Sequence, residues 1–366
     1  MFNLALKFFL LLSPVLFLPL SVPGLGALQF YQFGYFGVSP NLFQLQFFQY
    51  GVIFLFVSAL FDKPKRFFQD KYLSILFLIC AVNVYFHPRT IKEFPIVVLG
   101  FLLFYLVSTY ADVRNLKPVF KIIFFVSLLN TIFSILQFFN IHLIYTPTDN
   151  IIGLMGYKTQ LGIYQALALP ICFVIHPLLS IVPLVGLILS KSATAILPAI
   201  LGMYYLLRKR LRIQSIPVLL SIFTIITLIF LKSFHKFSLR FEVWTETIKM
   251  ILKDPFYGHG IGNFNYIQHL KYNINISYQD PYSLYLQVFY SLGILGGIAF
   301  LFFIEDKIIG FKSDDFIQRG LFSSCLILLT FGMCYSFLNY SRLAGTAIVL
   351  FGLLVAVKKD ERKILC

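Results

Sequence analysis

The sequence predicts an all-α fold: a polytopic transmembrane helix bundle of about 12 spans, with one large external loop containing amphipathic helices. Three observations predict it. Hydrophobic residues make up 59% of the 366 residues and charged residues only 12%. The apolar residues fall in runs near the roughly 20 residues that cross a bilayer as a helix. Lys and Arg gather in alternate connections between those runs, as they do in cytoplasmic loops of membrane proteins. With a mean hydropathy of +0.84, a soluble domain could not cover its apolar surface with polar groups.

The expected spans are 3–20, 42–61, 72–87, 94–110, 119–139, 161–176, 177–190, 193–207, 214–231, 283–304, 320–338 and 343–357. Within the first, Lys7 precedes an apolar run, Phe8 to Leu20, that is interrupted by Pro14 and Pro19. No small-x-small cleavage site follows it, so it reads as a retained span rather than a signal peptide. The short runs on either side of His176-Pro177 and of Lys191 read either as separate spans, as one long kinked helix, or as half-helices that do not fully cross. The chain reads as one domain, 1–366, without internal repeats.

Orientation follows from the basic residues. Lys63, Lys65, Arg66 and Lys71, then Arg114 and Lys117, then Arg208, Lys209, Arg210 and Arg212, then Lys307, Lys312 and Arg319, then Lys358, Lys359, Arg362 and Lys363 all fall on one side of an even-numbered bundle. That side is the cytoplasm. Both termini are then inside and the 232–282 loop is outside. The loop holds Lys232, Lys236, Arg240, Lys249, Lys253 and Lys271. A long translocated loop escapes the charge rule, so this excess is either a solvated basic loop or an anion site.

The net charge of +15 therefore indicates membrane topology rather than nucleic-acid binding. Cys80, Cys172, Cys325 and Cys334 sit in apolar runs and Cys366 ends the chain. They read as buried thiols. No Cys/His cluster has zinc spacing, and no metal or cofactor is expected.

Within the loop, residues 239–253 read as an amphipathic helix. Phe241, Trp244, Ile248, Ile251 and Pro255 follow one face, and Glu242, Glu246, Lys249 and Lys253 the opposite one. Arg240 projects with the apolar side, where an unpaired charge is costly. It either snorkels at the helix start or aims its planar fork at a phosphate. Gly258, Gly260 and Gly262 follow a helix rather than a strand, so they are not a dinucleotide fingerprint. They read as a tight reversal that turns backbone amides toward a cavity. His259 and His269 are candidate acids or bases. Asp280 and Tyr282 open the next span, either as ordinary helix-start and interface residues or as chemistry.

Three segments read together resemble the O-antigen ligase and O-antigen polymerase superfamily. The first runs from Arg240 and Trp244 through Pro255 to Gly258, Gly260, Gly262 and Asn263-Phe264. The second is Asp280-Pro281-Tyr282-Ser283-Leu284-Tyr285-Leu286-Gln287, followed by Ser291-Leu292-Gly293-Ile294-Leu295-Gly296. The third is Ser190-Lys191-Ser192-Ala193-Thr194-Ala195-Ile196-Leu197, and Gly156 to Pro170 is a looser match.

The resemblance implies a metal-independent, inverting glycosyltransferase of the bacterial inner membrane. Its donor would be a polyprenyl-diphosphate-linked glycan, and its acceptor a lipid A core or a growing glycan. It implies that Arg240 binds the diphosphate. The family's pattern has His-Asn where this chain has Tyr282-Ser283, and Ser-Arg where it has Ser192-Ala193. Lys191, Lys236 and Arg342 are the candidates to supply the displaced charge. Asp280, then His269, are the candidates to assist the acceptor hydroxyl; Tyr282, a poor base at neutral pH because an unperturbed tyrosine has a pKa of about 10, is the candidate to donate a hydrogen bond to the diphosphate. A glycolipid or small-solute transporter and a noncatalytic scaffold are the competing classes. The near absence of charged residues within the spans argues against coupled transport.

Overall fold

The computed structural model describes residues 2–12, 40–60, 71–88, 91, 94–114, 116–141, 151–208, 234–264, 280–309, 311, 313, 315–336, 338 and 341–365, with backbone only at 40–48, 72, 234–239, 341–342 and 361–365. The described residues are helical and contain no strands. The helices are α1 (Phe2–Leu12), α2 (Pro40–Leu60), α3 (Lys71–Phe86), α4 (Phe94–Tyr110), α5 (Lys117–Phe138), α6 (Lys158–Ile175), α7 (Ile181–Leu189), α8 (Ala193–Leu207), α9 (Phe234–Lys253), α10 (Leu284–Ile304), α11 (Phe316–Gly332) and α12 (Ser341–Leu365). A helix stands at each expected span except 214–231, which lies outside the described residues.

Three helical stretches are long and apolar enough to cross a membrane by length and composition: Lys117–Phe138, Lys158–Ile175 and Leu284–Ile308. Around them the bundle is apolar outside as well as inside. On α3, Leu76 and Cys80 are buried while Ile75, Leu78 and Val82 face outward; on α10, Leu295, Ile298 and Phe302 face outward. A helix that is hydrophobic all round is one that meets either core or lipid on every side. This is the pattern of a multi-pass membrane protein.

The chain around His176 resolves one open reading. His176 is extended (φ −162°, ψ 130°) and Pro177 opens a short 3₁₀ turn into α7. The residue before a proline is pushed out of the helical region, so α6 and α7 are not one kinked helix. The 3₁₀ turn Pro177–Ser180 runs directly into the nine residues of α7, and at about 2.0 and 1.5 Å per residue the two together rise about 22 Å, shorter than a hydrocarbon core of about 30 Å.

Most polar side chains buried among the described helices are uncharged, and many are bonded to one another or to backbone. Gln165 on α6 accepts from Ser127 Oγ at 2.5 Å and donates to Ser127 O and Thr131 Oγ1 on α5, each at 3.2 Å. Thr131 in turn donates to Val182 O of α7 at 3.1 Å. Gln137 and Asn130 receive the backbone N–H groups of Ile152, Gly153 and Leu154, pinning the segment before α6 against α5. These bonds satisfy groups that would be costly to bury alone.

Helix direction places the candidate residues at one end. On α11, Ser324 Oγ donates to Leu167 O of α6 at 2.7 Å and Gly320 packs against Val174, so α11 and α6 are antiparallel. Arg319 donates to Leu206 O and Ser323 to Gly202 O, so α11 and α8 are antiparallel as well. Arg319 thereby satisfies a carbonyl at the C-terminus of α8, where a cation is favoured. The N-termini of α6 and α8 and the C-terminus of α11 consequently share one end of the bundle.

Candidate functional site

Arg240 lies in the middle of the buried face of α9. That face carries Val243, Thr247, Met250 and Ile251, which are 8% exposed or less. It packs with Phe264 and Tyr290, and Tyr282, Leu286 and Phe289 close over it. The expected apolar face of α9 divides accordingly. Ile251 is inside, whereas Phe241 and Ile248 face outward with Leu252, and Trp244 is half-buried against the Phe241 ring. The helix has two apolar sides because its buried stripe recurs at 243, 247, 250 and 251, and a second stripe at 241, 248 and 252 lies beside it.

The Arg240 guanidinium reaches across to the end of α11. Its Nη1 donates to Cys334 O at 3.0 Å, and the group lies 5.6 Å from the centre of the Tyr282 ring. A helix C-terminal carbonyl and an aromatic face are both sites that favour a cation. One donor is used in this way, and the planar fork retains others.

Tyr282 is held in the left-handed region at φ +50°, which is uncommon for a bulky residue. The cause is the turn around it. Asp280 is buried, and its Oδ1 accepts the Tyr282 N–H at 2.7 Å; Ser283 then caps α10 by accepting from Leu286 N. An Asx turn followed directly by an N-cap fixes the backbone on both sides of Tyr282. Strain of about 1–3 kcal/mol is retained only where the surroundings over-determine it.

The Ser190-Lys191-Ser192 turn lies at the same end. Ser190 and Ser192 are buried against Gly162 of α6, where a Cβ would stand 2.6 Å from Ser192 Cβ. Lys191 between them takes φ +49° and is exposed. Lys236 is in the first turn of α9 and Arg342 in the first turn of α12; their side chains lie outside the described residues, as does His269. Lys158, at the start of α6 and inside the looser Gly156 to Pro170 match, belongs to the same end; nothing in its local sequence singled it out. Arg240, Lys191 and Lys158 are thus cations from three separate stretches of chain at the same end of the bundle.

The glycine loop does something other than line a cavity. Gly258, Gly260 and Gly262 all have positive φ (67°, 91° and 76°), as a tight reversal requires. The amides, however, point into α10. That helix is broken at Gly293 (φ 71°, ψ −174°). His259 N donates to Tyr290 O at 2.8 Å, Gly260 N donates to Ser291 O at 3.1 Å, and Ile294 N donates to Pro255 O at 2.7 Å. His259 is buried, its ring stacked on Tyr290 at 4.7 Å with Nε2 2.9 Å from Met250 O. It ties the loop to the end of α9, and the expectation of amides facing a cavity is replaced by amides that complete a broken helix.

Among the described residues no group of three or more His, Cys, Asp or Glu side chains could hold a metal.

The fold and this end together define a multi-pass helical membrane protein with cations collected at one end of its bundle. Residues 178–301 match the family model described as O-antigen ligase, and over that segment the resemblance to the O-antigen ligase and polymerase superfamily is shown. The match includes Lys191, Lys236, Arg240, the three loop glycines, His269, Asp280 and Tyr282, and ends before Arg342. It supports a glycosyltransferase-like function in O-antigen or polysaccharide assembly, on lipid-linked glycans in a membrane. No curated protein matches the chain.

Proposed function

We propose that the chain is an inverting membrane glycosyltransferase that moves a glycan from a polyprenyl-diphosphate carrier to an acceptor hydroxyl, as an O-antigen ligase or polymerase does. The observation that carries this reading is Arg240. It stands within the matched segment, is anchored by a carbonyl just past α11 and a tyrosine ring, and keeps further donors on its planar fork.

The chemistry asks little more of the protein. A diphosphate on the anomeric carbon is already a good leaving group. The acceptor oxygen forms a bond to that carbon from the side opposite the diphosphate, the carbon–oxygen bond to the diphosphate breaks, and the configuration inverts. The lipid diphosphate leaves with the electron pair, and charge builds on its oxygens. Arg240, with Lys191, Lys236 and Arg342 as further candidates, neutralises that charge by preorganised donors. The acceptor proton passes to Asp280 or His269, with Tyr282 positioned to donate a hydrogen bond to the diphosphate. Holding donor and acceptor in line supplies much of the remaining acceleration.

The test is glycan transfer by the purified protein in proteoliposomes containing a polyprenyl-diphosphate-linked glycan and a lipid A core or glycan acceptor. Transfer by the wild-type chain, lost in a correctly inserted Arg240→Ala variant, is the expected result. A wild-type chain that instead carries the glycolipid across the bilayer without cleaving it would identify a flippase.

A further inference from the structure

The break in α10 leaves three backbone groups without helical partners, and the glycine loop takes all three. An unbroken helix would pair Tyr290 O with the N–H of Ile294. Here Tyr290 O and Ser291 O accept from His259 and Gly260, and Ile294 N–H turns to Pro255 O. The two chains meet at glycine on both sides. A Cβ on Gly258 would stand 2.5 Å from Gly293 N, and a Cβ on Gly293 would stand 2.3 Å from Phe256 O. This is a splice of backbone onto backbone. It fixes the register of α9, which carries Arg240, against α10, which begins beside Tyr282.

One side chain from elsewhere closes it. Asn83 on α3 is buried. Its Nδ2 donates to Ser291 O at 2.9 Å and to Tyr257 O at 3.0 Å, one carbonyl from each side of the splice. The Phe86 ring, one turn further along α3, lies 4.4 Å from the Tyr257 ring. Asn83 is outside the segment that matches the family, so its place here comes from the fold alone.

We infer that Asn83 is a positioning residue for the transfer reaction: it clamps the loop at Tyr257 to the break at Ser291 and so sets where Arg240 stands relative to Tyr282. The inference rests on the proposed function for its catalytic part. Its structural part stands without it. The distance over which it acts is modest, since Arg240 and Met250 are ten residues apart, about 15 Å along α9.

The experiment pairs hydrogen exchange with kinetics on the full chain in nanodiscs. Wild type should protect the amides of His259, Gly260 and Ile294. Asn83→Ala and the near-isosteric Asn83→Leu, which fills the same space without donors and without charge, should speed exchange in 255–262 and 290–296 by about tenfold or more. Exchange in α5 and α6 should be unchanged. In the same variants kcat should fall roughly 100-fold, the scale of a small misplacement of a catalytic group, with a melting temperature near wild type in at least the Leu variant. Unprotected amides in wild type, or unchanged exchange in both variants, would overturn the splice. Faster exchange with unaltered kcat would overturn the positioning role. A wild-type chain with no transferase activity would overturn the proposed function and the catalytic part with it, and exchange would still decide the clamp.

Discussion

In the proposed function, Arg240 concentrates the diphosphate chemistry in one side chain. Its bond to Cys334 O and its place over Tyr282 hold the guanidinium without consuming it. Truncating a charged partner of a desolvated phosphate should cost roughly 2–5 kcal/mol, a loss of at least about 30-fold in transfer. Arg240→Lys should recover little of this, because a single ammonium cannot occupy the carbonyl and present a planar fork to phosphate together. Full transfer by a folded, inserted Arg240→Ala chain would remove the assignment. Asp280 has two separable roles, one in the turn and one proposed in the chemistry. Its Oδ1 accepts the Tyr282 N–H, a bond that an Asn side chain can also accept. Asp280→Asn should therefore keep the turn and abolish transfer if the carboxylate takes the acceptor proton, whereas Asp280→Ala should lose both. Wild-type transfer in Asp280→Asn, with loss in His269→Ala, would move the base to His269. Loss only in Tyr282→Phe would make the tyrosine hydroxyl the participant.

At the scale of elements, the junction between α9 and α10 decides whether the site exists. Gly258 and Gly293 each have positive φ and each has backbone where a Cβ would stand. A left-handed alanine costs about 1–2 kcal/mol, and overpacking against rigid backbone adds roughly 1–3 kcal/mol. Gly258→Ala and Gly293→Ala should each lower the melting temperature in detergent markedly, by far more than Gly262→Ala, whose residue is exposed. Equal melting for all three would mean that the loop does not bear on α10 as described. The sequence made parts of this junction legible. Helical spacing put Arg240 on the buried side of α9, and glycines at 258, 260 and 262 announced a reversal. It did not reveal where the reversal docks, because a glycine within an apolar run signals a break without naming the chain that fills it. Nor did it find Asn83, whose only sequence signal is a lone amide in an apolar span.

For the whole molecule, the proposed topology is twelve spans with both termini in the cytoplasm and the 232–282 loop outside. It predicts that a reporter active only in the periplasm is silent when fused after Lys363 and active when fused near Asn275. The opposite pattern in either fusion would invert or renumber the bundle. The folded chain brings the N-termini of α6 and α8, the C-terminus of α11, the start of α10 and Arg240 to one end, so the proposed topology puts all of them outside together. The short α7 has its reach extended by the 3₁₀ turn before it. Its function in the fold is to carry the Ser190-Lys191-Ser192 turn to that same end.

The sequence by itself determined that this chain is a helical membrane protein, where most of its helices run, and which segments resemble a glycan-transferring family. Those properties are local: apolar run length, charge between runs, and short motifs are each read from neighbouring residues. The tertiary structure alone decided which residues meet. Arg240 and Cys334 are 94 positions apart, and Asn83 and Ser291 are 208 apart; no periodicity links them. Those pairings depend on helix direction and packing, and on the rule that a backbone group freed by a break must find a partner when no water can supply one. A broken α10 leaves such groups exposed to whatever chain can reach them, and the glycine at 258 lets this loop come close enough.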